Sequence, residues 1–234
     1  MKLFNFKKYN ENNDLIYTKE FKSFFGDWEN DKENSSVIVD DNDKPKIVYH
    51  QTKKEYVEDI LTHGFKFSNE KHSKFDFETP YGHFFKSSDK DIGLEGKSQI
   101  KGYLNVRNPI VFLDRNDIKN RISNISKKYA TLYNDIEKID FKYNSIIDNY
   151  LKEFKKERRN LNNKSIEKYK KEKKEIFKKW ESEYNKIALK LKQELDRVIK
   201  RLGYDGFIIK NDEGSFGRYT DTIIIFNPNQ FLKA

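Results

Sequence analysis

The sequence has no cysteine, and its 234 residues include only four prolines and ten glycines. Without cysteine there can be no disulfide, no thiolate nucleophile and no cysteine-ligated zinc. The sequence also lacks an apolar run long enough for a signal-peptide core or a membrane span, including in residues 1–10, where Phe4 and Phe6 stand among lysines. We therefore expect a soluble, cytoplasmic protein without membrane contact.

Common catalytic signatures are absent as well. The sequence contains no P-loop, no G-x-G-x-x-G, no H-E-x-x-H and no G-x-S-x-G. His63, His72 and His83 do not combine with carboxylates at helical spacing, so we predict no metal site.

The composition nevertheless predicts a folded chain. Apolar residues make up 35% and charged residues 36%, but 15% of the residues are aromatic, far more than a disordered charged tail contains. The length suits one domain of catalytic size with an appendage.

A long segment between Asp114 and Gly203 has neither glycine nor proline. Apolar residues recur there every three or four positions, from Ile118 to Phe154 and again from Ile166 to Val198. Residues 160–165, Asn-Leu-Asn-Asn-Lys-Ser, favour a turn and a helix N-cap. We predict an antiparallel helical hairpin at 115–201, with arms of roughly 50 Å, inserted into a core formed by 1–114 and 202–234.

The positive charge of the chain is concentrated in this insertion. Residues 116–202 hold 25 Lys and Arg against 14 Asp and Glu, a net charge of +11, while the remainder holds 22 against 24, a net of −2. One interpretation is recruitment of an acidic macromolecule, nucleic acid or protein, through residues such as Arg158, Arg159, Lys170 and Lys171. The alternatives are a solvated helical face and a hairpin that mediates helix pairing or dimerisation.

Outside the insertion the pattern predicts short strands and turns. A hairpin is predicted from 36–39 to 46–50, a short helix at 55–63 that stops at Gly64, and further strands at 83–85, 100–106, 110–112, 206–209 and 222–226. These segments favour a largely antiparallel core with flanking helices.

Six short blocks in the core carry a resemblance to a known family. They are Phe24-Phe-Gly-Asp-Trp28, Ile47-Val-Tyr-His-Gln-Thr52, Tyr81-Gly-His-Phe-Phe-Lys-Ser-Ser88, Tyr103-Leu-Asn-Val-Arg-Asn-Pro-Ile110, Leu202-Gly-Tyr-Asp-Gly-Phe207 and Ile223-Ile-Ile-Phe-Asn-Pro-Asn-Gln230. In this order they resemble the ADP-ribosyltransferase domains of phage polyvalent proteins, which are distant relatives of diphtheria toxin and the poly(ADP-ribose) polymerases. The resemblance covers about residues 20–114 and 202–234. It implies an α+β fold with a split antiparallel β-core and NAD in a cleft between two small sheets.

The resemblance also assigns roles to residues of the first two motifs. His50, Gln51 and Thr52 match positions that contact the nicotinamide ribose and carboxamide, and neutral imidazole suits a ribose hydroxyl because it both donates and accepts. Phe84 matches an aromatic residue that stacks on nicotinamide. At least one of Phe84 and Phe85 belongs to the core, because the two alternate on a strand, and Tyr81 and His83 are looser candidates for the cleft.

The third motif departs from the family pattern. A glutamate that stabilises the oxocarbenium ion formed as nicotinamide leaves normally precedes the Phe-Asn-Pro-x-Gln strand. Thr222 occupies this position, after Asp221. Three alternatives follow: Asp221 takes the role, Gln230 acts as a polar substitute, or NAD is bound without being cleaved. Arg218 lies in the preceding loop, where related enzymes recognise the acceptor.

The resemblance thus implies an NAD-dependent mono-ADP-ribosyltransferase, with NAD as substrate and a macromolecular acceptor. The alternative is a catalytically inactive NAD-binding or interaction module. A phage-encoded or delivered protein of this kind would act in the host cytoplasm.

Overall fold

Among the residues that the computed structural model describes (15–66, 78–89, 97–157, 163–213 and 219–234), seven strands form one mixed sheet. The strands are β1 (Val48–Lys53), β2 (His83–Lys86), β3 (Lys97–Leu104), β4 (Pro109–Phe112), β5 (Gly206–Glu213), β6 (Tyr219–Ile225) and β7 (Phe231–Lys233). Their order across the sheet is β4-β5-β6-β2-β1-β3-β7. All neighbouring pairs are antiparallel except β4 and β5. The sheet is therefore single and mixed, whereas the sequence led us to expect two small antiparallel sheets.

Five α-helices accompany the strands in this part of the chain. They are α1 (Lys19–Phe25), α2 (Lys54–His63), α3 (Arg115–Ile125), α4 (Lys127–Glu157) and α5 (Asn163–Arg201). The fold is α+β and includes a long helical hairpin, as the sequence predicted. No helix in the described ranges combines the length and apolar character that a membrane crossing requires.

The chain divides into a sheet unit and a helical unit. The sheet unit takes in Met1–Ser68, Tyr81–Arg115 and Lys200–Ala234. The helical unit takes in Asn69–Pro80 and Asn116–Ile199. The helical segment connects β4 to β5, which pair in parallel. Parallel strands cannot be joined by a tight turn, so any connection between β4 and β5 has to be a long crossover.

Helix α1 shows how local sequence sets an element of the sheet unit. The Thr18 hydroxyl caps its start by accepting a hydrogen bond from the backbone N–H of Phe21 at 3.1 Å. Phe21 and Phe25, one turn apart, are fully buried in a cluster with Trp28 and Tyr103. The helix ends at Gly26, whose φ of 104° and close approach to Ser35 exclude a side chain.

The two faces of the sheet carry different side chains. Opposite residues of an antiparallel pair point to the same face, and successive residues alternate. We call the side of Val48, His50, Phe85 and Ile223 the His50 face, and the side of Tyr49, Phe84, Lys86 and Thr222 the Tyr49 face. One apolar core cluster lies on the His50 face and includes Ile38, Phe65, Leu104, Val106, Ile208 and Ile225.

The predicted strand at 36–39 is wrong. The segment forms no strand: an isolated bridge joins Val39 to Pro45, and single backbone hydrogen bonds join Lys46 to Ile38 and Asp40 to Lys44. The Ser36 hydroxyl donates to the carbonyl of Leu104 at 2.6 Å and accepts from the N–H of Val106 at 3.1 Å. A buried side chain thus takes the place of a strand ladder, which alternation of apolar residues does not reveal.

In the helical unit, α4 and α5 form the hairpin. Side-chain hydrogen bonds join successive levels of the two helices: Trp180 Nε1 donates to Asp140 at 2.9 Å, and the Tyr143 hydroxyl donates to Glu183 at 2.7 Å. Tyr150 contacts Tyr169 nearer the far end. The buried residues recur at the predicted helical spacing, and they include Ile136, Tyr184, Ala188, Leu191, Leu195 and Val198.

The first arm of the hairpin is interrupted, although its apolar stripe predicted one continuous helix. Ser126 separates α3 from α4, and its hydroxyl caps α4 by accepting from the N–H of Tyr129 at 3.2 Å. The same hydroxyl donates to the buried Glu194 at 2.7 Å. The hydroxyl at the break is bonded to a residue 68 positions away in the sequence. The break is therefore not marked by a local signal such as a glycine or a proline.

Candidate functional site

His50 lies on β1 and is held by the neighbouring strand. Its Nδ1 is 2.8 Å from the backbone carbonyl oxygen of Phe84 on β2. Since a carbonyl oxygen only accepts, Nδ1 carries the proton, and in the neutral ring Nε2 is the acceptor nitrogen. The strand pairing thus fixes both the orientation and the tautomer of a half-buried imidazole.

An aromatic cluster surrounds this imidazole on the His50 face. The ring of Phe65 stands edge-on at 4.8 Å, and Phe85 lies at 5.4 Å. Phe65 also contacts His83 at 4.8 Å and Phe231 at 5.1 Å. No sequence motif points to Phe65 or Phe231, because neither belongs to the motif that supplies His50. The hydrophobic residue that follows the helix stop at Gly64 was the available signal for Phe65.

The aromatic motif on β2 is divided between the two faces. Phe85 is 1% exposed and belongs to the core, as the sequence predicted for at least one of the pair. Phe84 is half-buried, and the alternation places its side chain on the Tyr49 face, so only its carbonyl reaches His50. Gln51 also points to the Tyr49 face, whereas Thr52 shares the His50 face. Tyr81 precedes β2 and is half-buried.

Asp221 lies on β6 and points to the His50 face. His50, Phe85 and Ile223 are aligned across three adjacent strands, and Asp221 is two residues along β6 from Ile223. Because β2 lies between β1 and β6, His50 and Asp221 are about 10 Å apart across the strands. Asp221 is also displaced from His50 by two residues along the strand direction. The Asp221 carboxylate accepts from Lys210 Nζ at 2.8 Å and from the N–H of Asn211 at 3.2 Å, and its side chain is 25% exposed.

A β-bulge makes this arrangement of Asp221 possible. The register of β5 against β6 shifts between Ile209 and Asp212, and Asn211 adopts a φ of 47°. A bulge re-aims the side chains of its strand. Here it directs Lys210 and the Asn211 N–H toward Asp221, and returns Asp212 to the opposite face.

Thr222 belongs to a buried polar cluster on the Tyr49 face. Its hydroxyl donates to Asp212 at 2.5 Å and accepts from Lys86 Nζ at 2.6 Å. Arg115 Nε donates to the same carboxylate at 2.9 Å. Burial raises the pKa of Asp212, but the hydrogen bonds from Arg115 and Thr222 outweigh it, so the pKa lies below its usual value. Thr222 is 2% exposed and faces away from His50.

The amide of Gln230 is engaged by backbone groups. Its Nε2 donates to the carbonyls of Asn105 and Asp205 at 3.0 and 2.9 Å, and its Oε1 accepts from the N–H groups of Phe226 and Asn227. The Pro228–Gln230 turn also contains a capping box from Asn227. In the structure Gln230 joins three segments of the sheet unit.

The predicted acceptor-binding residues are only partly within the described ranges. Lys170 and Lys171 are exposed on α5. Arg158, Arg159 and Arg218 lie outside the described residues.

A pocket of about 380 Å³ in the sheet unit lies elsewhere. It is lined by Tyr49 and Tyr103 together with loop residues that include Lys46 and Asp89. Burial, followed by the nearby charge of Asp89, raises the pKa of Tyr49, so this phenol stays neutral. None of the predicted site residues lines this pocket. We locate the candidate site at His50 because its imidazole is held in one orientation and shares a face of the sheet with the Asp221 carboxylate.

The His50 face thus combines an oriented imidazole, an aromatic surround and a held carboxylate. Such a set can bind a ribose hydroxyl and stabilise positive charge. Within the described ranges no group of three or more His, Asp or Glu residues is arranged to hold a metal ion. The chain matches no family model, no curated protein and no solved structure.

Proposed function

We propose that the protein is an NAD-dependent mono-ADP-ribosyltransferase that modifies a macromolecular acceptor. The proposal rests on the ordered motifs of the sequence and on one structural observation: His50 on β1 and Asp221 on β6 occupy the same face of the sheet, with β2 between their strands. Thr222, which stands at the motif position of the missing glutamate, is on the other face. Asp221 is therefore the carboxylate that we assign to the reaction.

In the proposed reaction the bond between the nicotinamide nitrogen and C1′ of the ribose breaks, and its electron pair leaves with nicotinamide. A nucleophile of the acceptor bonds to C1′ and loses its proton. His50 Nε2 accepts a hydrogen bond from a ribose hydroxyl. The Asp221 carboxylate stabilises the oxocarbenium-like transition state, because a fixed negative charge lies beside the developing positive charge.

The other predicted NAD contacts are revised on the same basis. Thr52 shares the face of His50 and stays in the proposed site, as does Tyr81 just before β2. Stacking on nicotinamide is no longer assigned to Phe84. The ring of Phe65 borders His50 at 4.8 Å but is 6% exposed, so it supports the imidazole from the core. We leave Gln51, Phe84 and Gln230 out of direct binding. The side chains of the first two point to the Tyr49 face, and backbone groups engage the Gln230 amide.

Lys210 and Asn211 hold the Asp221 carboxylate in one orientation. The carboxylate accepts from the Lys210 ammonium at 2.8 Å and from the Asn211 backbone N–H at 3.2 Å. The Lys210 ammonium also neutralises part of the negative charge that the Asp221 carboxylate would direct at the ribose. This balance predicts a slow transferase.

A second function, NAD binding without turnover, is favoured by Thr222 itself. The hydroxyl at the motif position is buried and bonded to Asp212 and Lys86, so it cannot reach a ligand beside His50. In that case the protein would sense NAD or block a partner. In either case we propose that the basic hairpin holds an acidic macromolecule.

The test is incubation with labelled NAD and lysate acceptors, followed by measurement of label transfer and nicotinamide release. We expect His50→Ala to abolish transfer, and Asp221→Asn to reduce it by roughly 10²- to 10³-fold, the range for loss of one preorganised electrostatic group. Thr222→Val is the matched control, because it alters the adjacent residue on the opposite face and should retain transfer. Calorimetric titration of each variant with NAD separates loss of binding from loss of turnover.

Transfer that survives Asp221→Asn would remove that residue from the mechanism. NAD binding by wild type with neither transfer nor nicotinamide release would support the non-catalytic function. Absence of NAD binding by a folded wild-type protein would refute both.

A further inference from the structure

The positive charge of the hairpin is concentrated at the end where α4 finishes and α5 begins. Residues 150–179 hold 13 Lys and Arg against 5 Asp and Glu, a net charge of +8. The remainder of 116–202 holds 12 against 9, a net of +3. We call residues 150–179 the hairpin end. The uneven distribution argues against a merely solvated surface, since solubility alone does not require one sign of charge at one end.

The described lysines of the hairpin end are exposed. Lys152, Lys155 and Lys156 are exposed at the end of α4. Seven described lysines are exposed on α5, namely Lys168, Lys170, Lys171, Lys173, Lys174, Lys178 and Lys179. At 100° per residue these positions cover every direction of the helix except the one that packs Tyr169, Ile176 and Trp180 against α4.

Acidic residues neutralise this surface only in part. Lys168, Lys170 and Lys178 pair with Glu172, Glu167 and Glu175 on the same helix. Lys171, Lys174 and Lys179 form no ion pair among the described residues. The pKa of Glu175 is lowered by a hydrogen bond from Lys178 and by the charges of Lys171 and Lys174. The charges of Lys171 and Lys174 therefore act on Glu175 in addition to its own partner, Lys178.

We infer that the hairpin end binds nucleic acid through its phosphate backbone, without sequence preference. Lysine ammonium groups are point charges that suit phosphates, and phosphate contacts carry no sequence information. This inference concerns the helical unit alone. It stands whether or not the sheet unit transfers ADP-ribose.

Nucleic acid fits this surface better than an acidic protein does. A protein interface needs buried apolar anchors. Between residues 150 and 179, Phe177 is the one large apolar side chain that is exposed among the described residues, and Lys173 Nζ lies 5.6 Å from the centre of its ring. A regular row of phosphates requires only cations distributed along a rod, which is what α5 presents.

Fluorescence anisotropy of the full chain with 20-base-pair duplexes of two unrelated sequences tests the inference. The variant Lys171→Gln, Lys174→Gln, Lys179→Gln removes three charges at the hairpin end. The control Lys127→Gln, Lys186→Gln, Lys190→Gln removes three exposed lysines of the same helices outside it. Glutamine keeps helix propensity in both variants, and circular dichroism verifies their helix content.

We expect wild type to bind both duplexes alike, with log K falling linearly against log salt concentration. The hairpin-end variant should bind at least about tenfold more weakly at low salt, and its slope should be smaller by about one per lysine removed. The control should stay within about threefold of wild type. Equal losses in both variants, a clear preference between duplexes, or binding of polyglutamate but not of DNA would overturn the inference.

Discussion

Neutralising Glu194 should destabilise the helical unit, because this carboxylate joins α5 to the break between α3 and α4. Its side chain is 0% exposed, accepts from the hydroxyl of Ser126 at 2.7 Å and pairs with Arg197 and Lys128. The hydrogen bond from Arg197, with further bonds from Ser126 and Lys128, lowers the pKa of Glu194 to about 2 against the cost of burial. The perturbation that tests this is Glu194→Gln, which keeps the shape and removes the charge.

The expected cost follows from this pKa. A shift from the reference value of 4.5 to about 2 corresponds to about 3.4 kcal/mol, at about 1.36 kcal/mol for each unit. This is an upper bound, since the side chains of Lys128 and Arg197 are 69% and 53% exposed and water screens them. We expect Glu194→Gln to lower the free energy of unfolding by about 2 kcal/mol at pH 7.

The dependence on pH has a defined sign. The folded-state pKa of Glu194 is depressed, so its stabilisation is present above the reference pKa of 4.5 and is lost as the pH falls toward 2. Urea unfolding followed by circular dichroism at pH 7, 5 and 3 measures this. The difference between wild type and variant should be nearly constant from pH 7 to pH 5 and fall by more than half at pH 3.

A matched control is Glu183→Gln. Glu183 accepts from Lys142 at 2.9 Å and from Tyr143 at 2.7 Å, but its side chain is 44% exposed. We expect it to cost less than about 1 kcal/mol. The reasoning is refuted if Glu194→Gln lies within about 0.5 kcal/mol of wild type at pH 7, or if the difference does not change with pH.

Two further predictions concern the sheet unit. Thr222→Glu places at position 222 the glutamate that the proposed activity would lead one to expect there. It should not raise label transfer, and it should destabilise the fold by roughly 2–4 kcal/mol in urea unfolding, because it buries a second carboxylate beside Asp212. A gain in transfer would return the catalytic role to position 222. Gln230→Ala should cost about 2–3 kcal/mol, since it leaves backbone groups of Asn105 and Asp205 without their amide partner, while calorimetric NAD affinity of the folded protein changes little; a large affinity loss at unchanged stability would instead make Gln230 a ligand contact.

Much of the fold could be predicted from the sequence, where the signal is local. Helix α2 and its stop at Gly64, the strands at 83–86, 109–112 and 206–213, and the hairpin of α4 and α5 all follow from periodicity and turn residues. Such elements can be predicted locally, because the apolar residues of a buried face recur every two residues in a strand and every three to four residues in a helix. The edge strand β7 was missed, because three residues carry too short a pattern.

The sequence proposed residues for the candidate site but not their arrangement. The motifs assigned His50 to NAD and offered Asp221 as one alternative for the missing glutamate, but a one-residue difference on a strand changes the face of the sheet. Only the register of β1, β2 and β6 separates Asp221 from Thr222 and Phe85 from Phe84. Phe65 and Lys210 join the site through packing and a bulge, which no single segment encodes.

By itself the sequence determined the α+β class, the basic hairpin and its charged end, since composition and periodicity are properties of contiguous residues. Tertiary structure alone decided which side chains meet. The break at Ser126 depends on Glu194, and the orientation of Asp221 depends on Lys210 in another strand. The physical reason is that each of these hydrogen bonds, ion pairs and strand registers depends on two residues that are far apart in the sequence. The residues next to either partner do not reveal the pairing.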